Sequence, residues 1–108
     1  MRQESAPSYC LTIAIAGDFE TAKVVCRRYC MQVGLCVTIE PVAYIYTGGE
    51  EAGVRVGLIN YPRFPSTEEQ IWHHATELAE LLRSELCQHS YSIIGPDRTI
   101  WNSLRETA

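Results

Sequence analysis

A chain of 108 residues with 46% hydrophobic and 20% charged positions is long enough to bury one core and too apolar to stay disordered. Nine basic residues against thirteen acidic ones give a net charge of −4, and the bases are scattered, which argues against a binder of duplex nucleic acid. No apolar run approaches the about 18 residues of a membrane helix, and Tyr9–Ala16 is too short and wrongly flanked for a signal peptide. The expectation is one cytoplasmic domain over residues 1–108, with frayed tails at 1–8 and 103–108.

Tyr9 to Ala16 reads as the first strand, because Tyr9, Leu11, Ile13 and Ile15 alternate with Cys10, Thr12, Ala14 and Ala16. Gly17 breaks it, and Asp18 is a suitable N-cap for a helix from about Phe19 to Val33. That helix carries Ala22, Val25, Cys26, Tyr29, Cys30 and Val33 on one face, and Gly34 stands where a left-handed C-terminal cap belongs. Leu35 to Thr47 reads as a long strand with Leu35, Val37, Ile39, Ala43 and Ile45 on the core face. Pro41 cannot donate to a ladder, so this strand belongs at an edge or carries a bulge. A Gly-rich acidic loop follows over 46–53, then a strand from Val54 to Tyr61, together an antiparallel hairpin. After the stiff connector Tyr61-Pro62-Arg63-Phe64-Pro65, Ser66 and Glu69 read as a capping box opening a second helix that runs to about Cys87. Its buried stripe is Ile71, Ala75, Leu78, Ala79, Leu82 and Leu86. Tyr91–Ile94 is a last strand, with Thr99–Trp101 a candidate fifth after the Gly95-Pro96-Asp97-Arg98 turn.

The five cysteines, Cys10, Cys26, Cys30, Cys36 and Cys87, show no Cys-x-x-Cys spacing and read as reduced thiols. Cys26 and Cys30 share a helix face but lack the further ligands of a structural zinc site, so no metal is expected, and no cofactor either. His73 and His74 are adjacent on a helix and point apart. No nucleophile elbow, His-Glu-x-x-His pattern or phosphate-binding loop is present.

The order of elements gives an α+β domain: a four-stranded antiparallel sheet with two helices on one face. The other face is left to Thr38, Glu40, Val42, Tyr44, Tyr46, Arg55, Ile59 and Tyr61, together with Cys10 and Thr12. Tyrosine and arginine are enriched at binding surfaces, although aromatic residues also simply suit strands. The candidate binding set is therefore Tyr44, Tyr46, Gly48, Gly49, Glu50, Glu51, Arg55, Tyr61 and Arg63, with no catalytic residue assigned.

Over residues 9–95 this pattern resembles the ferredoxin-like superfold, whose scaffolds host many functions. The segment Thr12-Ile13-Ala14-Ile15-Ala16-Gly17-Asp18, with its helix, Gly34 and following strand, resembles the regulatory ACT domain, which binds amino acids between paired domains. Phe19-Glu20 stands where that family carries Pro-Gly. Size, acidity and the missing enzyme signature also resemble phage or prophage accessory proteins that block host defence systems. That resemblance implies a non-enzymatic inhibitor that blocks a host protein complex or sequesters a signalling nucleotide, and the Tyr/Arg sheet face adds the expectation of a homodimer. The ACT resemblance implies the alternative, a regulatory domain for an anionic metabolite or nucleotide.

Overall fold

The computed structural model describes residues 1–105. The part of the expected C-terminal tail at 106–108 lies outside the described residues. The elements are β1 (Cys10–Ala16), α1 (Phe19–Val33), β2 (Thr38–Tyr46), β3 (Gly49–Ile59), α2 (Glu68–Glu85), β4 (Ser90–Ile94) and β5 (Thr99–Ser103). All strand pairs are antiparallel, in the order β2-β3-β1-β4-β5. The result is an α+β fold compatible with the ferredoxin-like pattern, in which the candidate fifth strand joins the expected four at the β4 edge and makes the sheet five-stranded.

The local chemistry explains the boundaries. Asp18 caps α1 by accepting from the Thr21 amide at 2.9 Å, and Gly34 closes it at φ 72 with its N–H on the Cys30 carbonyl. The cap of α2 lies one residue later than the sequence implies: Thr67 and Gln70 form the capping box. Ser66 is already engaged, its N–H by Asn60 Oδ1 at 2.8 Å and its carbonyl by the Tyr9 hydroxyl, so it is held outside the helix. Asn60 also donates to the Pro7 carbonyl at 2.8 Å, which ties the N-terminal lead-in to the connector.

The inner sheet face (Leu11, Ile13, Val54, Val56, Leu58, Ile93) packs on Ala22, Val25, Cys26 and Tyr29 of α1 and on the full α2 stripe. One expectation fails here. Ala43 is exposed and Ile45 is 77% exposed. The β2–β3 hairpin runs on past both helices, so the distal half of its inner face has nothing above it. The eight-residue loop is also corrected. Tyr46 pairs with Gly49, the turn is only Thr47-Gly48 with Gly48 at φ 87, and residues 49–53 are strand. A two-residue turn with positive φ suits the twist of a hairpin, so the glycines permit pairing up to the tip.

Candidate functional site

The helix-free sheet face is organised by register. Glu40, Arg55, Ala14, Ser92 and Trp101 are successive partners across the five strands and form one continuous row. The neighbouring rows place Val42, Gly53 and Ala16 together, and Tyr44 opposite Glu51. The middle of the face is therefore floored by small residues on β1 and β3. Its walls are the tyrosines of the hairpin arm on one side and Trp101 of β5 on the other.

Two adjoining clefts open on this floor. The inner one, about 190 Å³, is lined by Ala14, Ala16, Tyr44, Glu51, Ser92 and Trp101 among others. The outer one, about 600 Å³, is lined by Tyr46, Glu51, Gln88, His89, Trp101 and Arg105 among others. Glu51, Gln88, Ser90 and Trp101 border both, so the two make one groove. The inner cleft alone is below the roughly 300–1,000 Å³ of small-molecule sites, and the joined groove is not.

Tyr44 is fixed by its hydroxyl, which donates to the Val54 carbonyl at 2.7 Å, and burial holds that phenol above its ordinary pKa. Tyr91 anchors the opposite wall from beneath. Its hydroxyl donates to Glu80 at 2.7 Å and accepts from Asn102 at 2.9 Å, which ties β4, β5 and α2 together. Burial raises the Tyr91 pKa, while the Tyr91 hydrogen bond lowers that of Glu80. Trp101 and Tyr46 are 60% and 55% exposed, too open to be explained by core packing. Neither Glu51 nor Arg105 has an ion-pair partner within 4.0 Å among the described residues.

The nine residues expected to form one binding surface divide. Tyr44, Tyr46, Glu51 and Arg55 share the open face, and Gly49 lies under the Tyr46 ring. Glu50 pairs with Ile45 on the opposite face, because 49–53 is strand and adjacent side chains alternate. Gly48 is in the turn. Tyr61 and Arg63 lie at the other end of the sheet. There the Tyr61 hydroxyl meets Cys36 Sγ at 3.1 Å, and Arg63 stands 5.4 Å from the Phe64 ring centroid. A separate cleft of about 480 Å³ opens there, lined by Cys36, Tyr61, Phe64 and His74 among others. A third, about 450 Å³, runs between α1 and α2 beside the Arg28–Glu85 pair. Among the described residues, the open-face groove gathers side chains from β1, the β2–β3 hairpin and the β4–β5 pair around Glu51 and Arg105, neither of which has an ion-pair partner there. Among the described residues, no group of three or more His, Cys, Asp or Glu is placed to hold a metal ion. Asp18 is engaged as a helix cap, its carboxyl held below the ordinary value by the Thr21 amide.

Sequence reasoning missed Ser90, Ser92, Gln88, Trp101 and Arg105. Alternation over 99–103 was the available signal: it puts Thr99, Trp101 and Ser103 on one face.

No protein-family model matches the chain, and no curated protein matches it in sequence. Solved structures do. The chain is similar to a phage SAM lyase (SAM, S-adenosylmethionine) in its apo state, at 13% identity and TM-score 0.77, over 100% of this chain and 98% of that one. It is also similar to a phage SAM lyase in complex with S-methyl-5'-thioadenosine, at 12% identity and TM-score 0.68, with the same coverage. The shared feature at this identity is the fold. This finding overturns the expectation of a non-enzymatic binding or inhibitory domain. A solved fold that fits from end to end is that of an enzyme, so the lack of a catalytic motif is no mark of a non-enzyme here. Nothing favours the alternative, a regulatory domain for an anionic metabolite or nucleotide, in its place. No helix of the described residues is long and apolar enough to cross a membrane.

Proposed function

We propose that the chain cleaves S-adenosylmethionine as a lyase, in the groove between Tyr44, Glu51 and Trp101. The observation that carries this reading is the end-to-end likeness to a phage SAM lyase, at TM-score 0.77. The groove supports it chemically. An adenine ring is flat and stacks on an exposed aromatic face, which Trp101 offers. A sulfonium is a soft cation that suits aromatic walls, which Tyr44 and Trp101 supply. Ser90, Ser92 and Gln88 provide hydrogen-bonding groups for a ribose.

The product S-methyl-5'-thioadenosine keeps the adenosyl group, the sulfur and the methyl. The bond that breaks therefore joins sulfur to the γ-carbon of the amino acid. Its electron pair stays on sulfur, the sulfonium becomes a neutral thioether, and the leaving group needs no proton. The γ-carbon is then satisfied by the substrate's own carboxylate oxygen, closing a lactone. Otherwise a β-proton goes to a base such as His89, leaving an alkene. A reaction with so good a leaving group asks for positioning more than for an acid–base pair, which fits a sequence without a catalytic motif. Incubation of the purified chain with S-adenosylmethionine, followed by chromatography for S-methyl-5'-thioadenosine, tests the reading, and NMR of the four-carbon product separates the two routes. The reading includes a cytoplasmic setting, where reduced thiols persist. It also includes self-association as a homodimer, which light scattering tests directly.

A further inference from the structure

The groove carries charge of both signs, and its outer cleft is larger than a nucleoside requires. Glu51 sits where the inner and outer clefts join, opposite Tyr44 in the β2–β3 ladder. Arg105 lines only the outer cleft. Its backbone is anchored at both ends of the preceding step: Leu104 N–H donates to the His89 carbonyl at 2.8 Å, and Arg105 N–H donates to Ser103 Oγ at 3.0 Å. The chain just beyond β5 is thus held against the start of β4, which sets Arg105 in the lining of the outer cleft. Both charged groups lack a protein partner within 4.0 Å among the described residues.

We propose that the outer cleft is an amino-acid subsite, in which Arg105 takes an α-carboxylate and Glu51 takes the α-ammonium of the same ligand. The proposal rests on the lyase reading and adds an orientation to it. The purine lies against Trp101 in the inner cleft, and the amino-acid end points toward the hairpin tip and Arg105. A guanidinium binds a carboxylate through two parallel hydrogen bonds, and a carboxylate holds an ammonium through charge-assisted ones. Two opposite charges across one cleft therefore recognise a zwitterion better than either isolated ion. This arrangement also keeps Glu51 on the ammonium, away from a sulfonium whose charge must vanish as the bond breaks.

Two ligands separate the subsite from the rest of the groove. S-Adenosylhomocysteine carries the amino-acid end and no sulfonium, and S-methyl-5'-thioadenosine lacks the amino-acid end altogether. Titration calorimetry of both is measured on the full chain and on Arg105→Gln, Arg105→Lys and Glu51→Gln. Arg105→Gln and Glu51→Gln are expected to weaken S-adenosylhomocysteine tenfold or more, and Arg105→Gln, which lies outside the inner cleft, to change S-methyl-5'-thioadenosine by less than twofold. Arg105→Lys is expected to recover part of the loss, as a point charge in place of a fork. Equal weakening of both ligands, or no weakening of either, overturns the subsite while leaving the lyase reading intact. A wild-type chain that binds neither ligand overturns the lyase reading and the subsite with it. Circular dichroism of each variant establishes that it is folded.

Discussion

The Tyr44 ring occupies the space that a side chain at Gly53 would need: a Cβ there would stand 2.4 Å from Tyr44 Cε2 and 2.5 Å from the Ile15 carbonyl oxygen. The glycine lets the tyrosine lie across β3, where its hydroxyl finds the Val54 carbonyl of that same strand. The wall of the groove is therefore set by a residue with no side chain of its own. Gly53→Ala is expected to destabilise the fold by about 1–3 kcal/mol, since the Ile15 backbone cannot step aside, and to lower cleavage at least tenfold by displacing Tyr44. Denaturant midpoints and thioadenosine formation check both. A variant with native stability and rate would show that Tyr44 does not depend on Gly53.

Trp101→Ala separates binding from folding. The side chain is 60% exposed, so its removal is expected to change stability by no more than about 0.5 kcal/mol. Loss of a stacking platform weakens a nucleobase by about 1–3 kcal/mol, which corresponds to roughly 5- to 150-fold in the affinity for S-methyl-5'-thioadenosine. Calorimetry at constant salt measures it. Unchanged affinity would remove Trp101 from the site.

The reverse pattern is expected at Asn60. This side chain is 7% exposed and joins the Pro7 carbonyl to the Ser66 amide. Asn60→Ala leaves both groups without their partner and is expected to cost about 1–3 kcal/mol for each that stays dry. The groove lies on another part of the sheet, so thioadenosine affinity of the folded variant should hold within twofold.

The thiols and the alkaline limb follow from burial. Burial pushes the Cys26 thiol up to about 12, with Cys30 adding to it, whereas Cys10, Cys36 and Cys87 are exposed. A thiol reagent at pH 8 is expected to modify these three quickly, Cys30 more slowly and Cys26 only on unfolding. Burial also raises Tyr29 to about 12, with Glu77 contributing. Both groups are neutral in the folded state and ionise more readily when unfolded. Their contribution to stability is full below about pH 9 and falls as pH rises toward 12. Denaturant midpoints should decline over that window, and the decline should be shallower in Tyr29→Phe.

Much of this fold is legible in the chain because each element carries its own period and stop signal. The α2 stripe from Ile71 to Leu86 is buried throughout, and Asp18 and Gly34 bound α1 as expected. The errors are tertiary. Ile45 has the phase of a core residue but lies beyond the reach of the helices. Glu50 and Glu51 read as one acidic loop because glycines mark turns, yet Gly49 and Gly53 pair in a ladder that sends the two carboxylates to opposite faces. Ser66 looks like the better cap, but Asn60 and Tyr9 already hold it. The groove itself was half legible. Tyr44, Tyr46, Glu51 and Arg55 stand out in the hairpin, whereas Trp101 and Arg105 join them only once β5 has paired beside β4.

The central claim is cleavage of a sulfonium nucleoside in the open-face groove. Its most direct test is chromatography of S-adenosylmethionine incubated with the purified wild-type chain and with Trp101→Ala. Wild type should convert it to S-methyl-5'-thioadenosine in equal amount to the substrate lost, and Trp101→Ala should be at least tenfold slower at subsaturating substrate. Intact S-adenosylmethionine after prolonged incubation with folded wild-type protein would contradict the account.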